Sequence, residues 1–210
     1  MEHQFWHEKW EANDLAFHRE DFNPVLVDNW PVLDVPAGSR VFVPLCGKSR
    51  DMAWLMDQGY RVLGVELSEI AARSFLEESG LEATRDQDGP FVRYRTEQLE
   101  FLCGDFFSLD PERLSDIDAV YDRASLIAMA QDLRAQYAAH MKNLLRPGLQ
   151  ALLITLTYRD GEINPPPFRV FRDEVEALYD PWCDVELLQE GETEVKGIMC
   201  PQFAYRLRVR

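Results

Sequence analysis

The sequence predicts an α/β fold: a mostly parallel sheet of seven strands with the last strand antiparallel, helices on both faces, and a helical cover at the N-terminus. Three observations predict it. Short apolar runs alternate with segments of 3.6-residue periodicity, as parallel βαβ units require. Residues 149–157 are continuously apolar over 151–154, as in a strand covered on both faces. The last connection, residues 189–201, carries Gly191, Gly197 and Pro201 and no apolar helical period. It cannot supply a crossover helix, so the final strand returns antiparallel to its predecessor.

The elements follow in order. Residues 41–45 form a buried strand ending in Cys46-Gly47. Ser49 caps a helix that runs to residue 58, with Met52, Leu55 and Met56 on one face and Gly59 at its end. Residues 61–67 form the second strand, and Ser68 opens a helix that stops at Gly80. The polar stretch 81–97 carries no assignable element. Residues 99–103 and 117–121 are the third and fourth strands. A helix over 132–145 places Leu133, Tyr137, Met141, Leu144 and Leu145 at helical spacing and closes at Pro147-Gly148. The segment 159–168 is a loop, because Asp160-Gly161 and Pro165-Pro166-Pro167 exclude helix and ladder alike. A short helix over 172–179 precedes the last two strands, 185–188 and 203–209.

A chain of 210 residues, 46% apolar and without a linker, fits one domain, with residues 1–35 as the cover and 36–210 as the core. The net charge of −15 repels phosphate backbones and anionic headgroups, so neither nucleic acid nor a membrane is an expected partner. The start lacks a basic region followed by an apolar run, and no apolar stretch reaches membrane-spanning length, so a cytoplasmic location is expected. The four cysteines form no CxxC pair, which suits a reducing compartment. Nothing demands more than a monomer.

In open α/β sheets, ligands bind beyond the carboxyl ends of the strands. The first strand ends in Leu45-Cys46-Gly47-Lys48-Ser49, the second in Glu66, the third in Gly104-Asp105-Phe106, the fourth in Asp122-Arg123. Gly47 provides a tight turn open to a ligand, and the absence of G-x-G-x-x-G argues against a dinucleotide cradle. Glu66, about 20 residues downstream, stands where a carboxylate accepts both hydroxyls of a ribose, although a helix-entry charge would occupy the same place. Asp105 could accept an adenine amine or simply close a turn. Asp122 and Arg123 could meet the reacting atoms or form an ion pair. Trp6 and Trp10, at i and i+4 on one helix face, read either as a core stripe or as an aromatic lid over a cationic ligand. His3 and His7 lack a third ligand, so no metal site is expected.

Seven strands with the last reversed is the arrangement of the Rossmann-like methyltransferases. Within that class the chain resembles the bacterial thiopurine S-methyltransferases over nearly its whole length. The resemblance rests on Phe5-Trp6 through Trp10 to Ala16-Phe17-His18, on Val41-Phe42-Val43-Pro44-Leu45-Cys46-Gly47-Lys48-Ser49, and on Leu63-Gly64-Val65-Glu66. Tyr121-Asp122-Arg123-Ala124 and Pro165-Pro166-Pro167-Phe168 complete it. It implies S-adenosylmethionine as methyl donor and transfer to the sulfur of aromatic or heterocyclic thiols, with selenium or tellurium compounds as further acceptors. It implies that Trp10, Leu45, Glu66 and Arg123 contact the donor, that Trp6, Asp105 and Phe106 close the site, that Phe17 faces the acceptor, and that Arg123 handles the purine; Asp122, beside it, would orient Arg123 or accept a proton. Where similar enzymes carry a second arginine near the last hairpin, this chain offers Lys196. The alternatives are a halide or inorganic-thiol methyltransferase and a non-catalytic S-adenosylmethionine-binding module.

Overall fold

The computed structural model describes residues 3–14 and 21–210. Its elements begin with α1 (His3–Glu11), α2 (Pro24–Asn29), β1 (Arg40–Pro44), α3 (Arg50–Asp57), β2 (Arg61–Glu66) and α4 (Glu69–Glu78). There follow β3 (Thr84–Asp88), β4 (Phe91–Arg95), β5 (Leu99–Cys103), β6 (Ala119–Asp122), α5 (Ser125–Ala128) and α6 (Gln131–Leu144). The chain ends with β7 (Gln150–Leu156), α7 (Arg172–Tyr179), β8 (Cys183–Val195) and β9 (Ile198–Val209). Two compact units result, one of residues 35–119 with the described residues up to 24, the other of 25–34 and 120–210.

In the first unit the strand order is β3-β4-β5-β2-β1. β2 runs parallel to β1 on one side, from Arg40↔Arg61 to Pro44↔Val65, and to β5 on the other, from Val62↔Leu99 to Glu66↔Cys103. This parallel trio is buried, as its apolar composition requires. Ser49 caps α3 by accepting the Asp51 N–H at 3.2 Å, and the helix buries Met52, Leu55 and Met56. Gly64 in β2 lets the connection close onto the sheet, for a Cβ there would stand 2.9 Å from Cys46 Sγ and 3.2 Å from Met52 Sδ.

The described residues contain nine strands, not seven. The seven expected ones are present, and the two additional ones, β3 and β4, form an antiparallel hairpin inside the stretch 81–97. Apolar alternation could not reveal it, because charge holds it together. Asp86 faces Arg93 across the ladder and accepts a bidentate pair of bonds at 2.9 and 2.7 Å. Asp88 accepts from Arg93 at 2.8 Å and from Arg113 at 2.8 and 3.0 Å. Glu69, at the start of α4, accepts from Arg85 at 2.9 Å, from Arg73 at 2.6 Å and from the Tyr94 hydroxyl at 2.5 Å, tying hairpin to helix. Only Phe91 and Tyr94 turn inward as apolar anchors.

In the second unit the order is β6-β7-β9-β8. β9 is antiparallel to both β7 and β8, so the final strand is reversed as the sequence predicts. β8 and β9 are longer than expected, thirteen and twelve residues, and meet at Lys196-Gly197, both with positive φ. A two-residue turn of this hand matches the twist of a hairpin. α6 buries Tyr137, Ala138, Met141 and Leu144. Residues 25–34 bury Leu26, Trp30 and Leu33, with Trp30 edge-on to Tyr121 at 6.3 Å.

The bonds from Arg85, Tyr94 and Arg73 hold the Glu69 carboxyl at about 2, below its ordinary 4.5. A carboxylate of depressed pKa contributes stability above pH 4.5 that is lost as pH falls towards 2. Glu69→Gln is expected to cost about 1 kcal/mol at neutral pH, a figure reduced for solvent screening, and to flatten the stability profile between those pH values. Urea titrations across that range check it.

Candidate functional site

The turn after β1 is built from two residues in the left-handed region, Leu45 at φ +46° and Gly47 at φ +53°. For leucine that conformation costs of order 1 kcal/mol, a strain that the surrounding structure must hold in place. The Cys46 N–H donates to the Val65 carbonyl at 3.0 Å, so the turn folds across the tip of β2. The Gly47 amide of this turn then meets the side chain of the last residue of β2, Glu66.

Glu66 is 8% exposed, and its carboxylate is the hub of the first unit's strand ends. Oε2 accepts the Gly47 N–H at 3.1 Å and Oε1 the Ser68 N–H at 3.0 Å. The Leu67 amide and the Trp10 indole N–H also favour its charged form. Burial raises the Glu66 pKa, and these four donors oppose the shift by favouring the charged form. Ser68 contributes its amide here and makes no side-chain cap to α4. The Trp10 ring lies over Gly47, 3.6 Å from where a Cβ would be.

On the other side of β2, Gly104 follows β5 and donates to the Glu66 carbonyl at 2.9 Å. A Cβ on Gly104 would stand 2.7 Å from the Phe91 ring. Asp105 caps a single 3-10 turn, Oδ1 accepting the Phe107 N–H at 3.0 Å, and the same oxygen lies 3.6 Å from His3 Nε2 on α1. Phe106 is buried, edge-on to Phe107 at 5.4 Å. Trp6 is half-buried against Phe5 at 5.2 Å. Phe17 lies outside the described residues.

In the second unit β6 ends at Asp122, followed by a partly exposed Arg123. Asp122 is 3% exposed; Oδ2 accepts the Tyr137 hydroxyl at 2.6 Å and Oδ1 the Ser125 N–H at 3.3 Å, so the carboxylate anchors the start of α5. Burial raises its pKa, against the bonds from Tyr137 and Ser125, and raises that of Tyr137 well above the ordinary phenol value. The role of Tyr137 was not legible from its helical spacing, which shows only that it faces inward. A cavity of about 660 Å³ in this unit is lined by Tyr158, Asn164, Phe168 and Arg169 among others, and none of the described candidate residues borders it. Among the described residues no group of three His, Cys, Asp or Glu side chains could hold a metal.

The first unit's rim suits S-adenosylmethionine on chemical grounds. It offers a buried acceptor carboxylate for paired hydroxyls, and the Trp10 indole packed on Gly47 carries a π face of the kind that attracts sulfonium charge.

The model of the thiopurine S-methyltransferase family matches residues 1–199. A thiopurine S-methyltransferase of Nitrosospira multiformis is 45% identical over 206 residues, covering 98% of this chain and 92% of the relative. One from Pseudomonas fluorescens is 46% identical over 189 residues, covering 90% and 87%. Among solved structures, a 1,6-didemethyltoxoflavin N1-methyltransferase of Burkholderia thailandensis, with S-adenosylhomocysteine bound, aligns at TM-score 0.68 and 18% identity, covering 98% of this chain and 87% of that one. An S-adenosylmethionine-dependent methyltransferase of Anabaena variabilis aligns at TM-score 0.67 and 16% identity, covering 99% and 95%. The fold is thus that of the α/β methyltransferases, and the chain belongs to the thiopurine S-methyltransferase family, a family of S-adenosylmethionine-dependent enzymes.

Proposed function

We propose that this chain transfers the methyl group of S-adenosylmethionine to the sulfur of aromatic and heterocyclic thiols, thiopurines among them, with selenium or tellurium compounds as further acceptors. One observation carries the reading: the Glu66 carboxylate, buried at the tip of β2 and oriented by the Gly47 and Ser68 amides. The family relationship supports the choice of sulfur as acceptor. The protein acts as a single methyltransferase domain, with residues 1–35 as its cover, and works as a cytoplasmic monomer on a small-molecule partner without nucleic acid.

Bound S-adenosylmethionine supplies an activated methyl group, so the protein's task is alignment, which can contribute several kcal/mol. Glu66 accepts the ribose hydroxyls, and Leu45 and the Asp105-Phe106 turn border the adenosine. Trp10 and Trp6 close over the donor and exclude water. Phe17 faces the thiol. Aromatic thiols ionise near neutral pH, so a strong general base is not required. Arg123 holds the donor's carboxylate or the anionic acceptor. Asp122 anchors α5 just beyond Arg123 and fixes the backbone from which that arginine extends.

Incubation with labelled S-adenosylmethionine and a panel of thiols, selenols and halides tests the reading. Methylated aromatic thiol is the expected product; label in methyl halide, or donor binding without any product, overturns it. Glu66→Gln sets an NH2 group against the N–H donors of Gly47 and Ser68, and is expected to weaken donor binding at least tenfold in calorimetry while the fold persists. Because burial raises the Glu66 pKa, donor affinity should begin to fall, as pH is lowered, above the ordinary 4.5, and the Gln variant should lack that fall. Arg123→Ala is expected to lower kcat/KM for the thiol roughly a hundredfold, measured in the same assay.

A further inference from the structure

The proline loop between β7 and α7 is rich in acceptors and poor in donors, because Pro165, Pro166 and Pro167 have no N–H. Its carbonyls must be satisfied from outside the loop. For Asn164, Pro166 and Pro167 two side chains do this. Tyr158 donates its hydroxyl to the Pro167 carbonyl at 2.7 Å. Lys196 donates from Nζ to the carbonyls of Asn164 and Pro166, both at 2.9 Å.

Lys196 reaches the loop because the last hairpin overshoots the sheet. β7 stops pairing at Leu156↔Gln202, whereas β8 and β9 continue together to Val195↔Ile198. This two-stranded ribbon projects past the carboxyl end of β7, the side on which open α/β sheets hold their ligands. Lys196 sits at its tip in the left-handed region, φ +51°. An apolar cluster of Leu156, Tyr158, Ile163 and Cys200, with Val195 and Ile198 packed on it, joins ribbon to loop. The far end of the loop is pinned to α5, for the Phe168 N–H donates to the Ile127 carbonyl at 2.6 Å. α5 is in turn anchored by Asp122.

We infer that Lys196 is a positioning residue: by holding the Asn164 and Pro166 carbonyls it fixes the proline loop against the helix that follows Asp122-Arg123, and so shapes the acceptor side of the reaction without touching the acceptor. The inference rests on the function proposed above.

Lys196→Met and Lys196→Arg test it, the first removing the donors and the second keeping two. Hydrogen exchange of the Phe168 and Val170 amides reads the loop directly, and KM for an aromatic thiol, kcat and the donor Kd read its consequence. For Lys196→Met the expected result is at least tenfold faster exchange at these amides, a five- to twentyfold higher thiol KM, and a donor Kd within twofold of the parent, with Lys196→Arg restoring most of both effects. Unchanged exchange overturns the clamp. Faster exchange with unchanged KM overturns its link to the acceptor, and so does a KM effect accompanied by an equal loss of donor affinity. If the unaltered protein methylates no thiol, the proposed function fails, and the exchange arm still decides whether Lys196 holds the loop.

Discussion

A buried carboxylate at the tip of a central strand organises the first unit. Glu66 can stay at 8% exposure because backbone amides from two connections converge on it, one from the turn after β1 and one from the entry to α4. The requirement propagates outward. The Gly47 amide reaches the carboxylate only because the turn adopts left-handed backbone at Leu45 and Gly47. That turn lies flat on the sheet only because Gly64 leaves room for Cys46 and Met52. The Trp10 indole completes the shell, so the N-terminal helix is tied to the same group that is proposed to bind the donor. On the proposed reading, structural order and ligand recognition draw on one set of hydrogen bonds, and an acceptor group of this kind, held by fixed dipoles, costs little to reorganise when a ligand arrives.

The second unit follows a similar logic with different chemistry. Asp122 is satisfied by a phenol and a helix amide, Tyr137 and Ser125, so its buried charge is spent on fixing α5. The proline loop then hangs from α5 at Phe168 and from the hairpin ribbon at Lys196. Nearby, Arg134 is saturated by Glu174 and by the carbonyls of Leu126, Met129 and Arg169, which holds α6 and α7 together. Charged side chains facing backbone carbonyls serve here as joints between irregular segments that carry little apolar surface.

Much of this was legible in the sequence where apolar burial decides the structure. β5 and α7 match their expected limits, and β1, β2 and α3 differ by a residue or two, because continuous apolar runs and a Ser cap leave few alternatives. The β3-β4 hairpin was not legible, since cross-strand ion pairs such as Asp86–Arg93 have no period that a hydropathy pattern can reveal. The length of β8 and β9 was hidden for a related reason: residues 192–201 pair with each other outside the sheet and need no buried face on both sides. At the site, the position of Glu66 followed from strand-end spacing, whereas its bonding to Trp10 depends on how α1 lies, and Asp122's bond to Tyr137 links residues 15 apart along the chain.

The proposed function turns on Glu66 as the donor's ribose acceptor, prearranged by the Gly47 and Ser68 amides. A crystal structure of the protein with S-adenosylhomocysteine tests it most directly. Both ribose hydroxyls are expected within about 3 Å of the Glu66 carboxylate oxygens, with the Gly47 and Ser68 amide bonds retained. A bound ligand whose ribose lies away from Glu66 would contradict it.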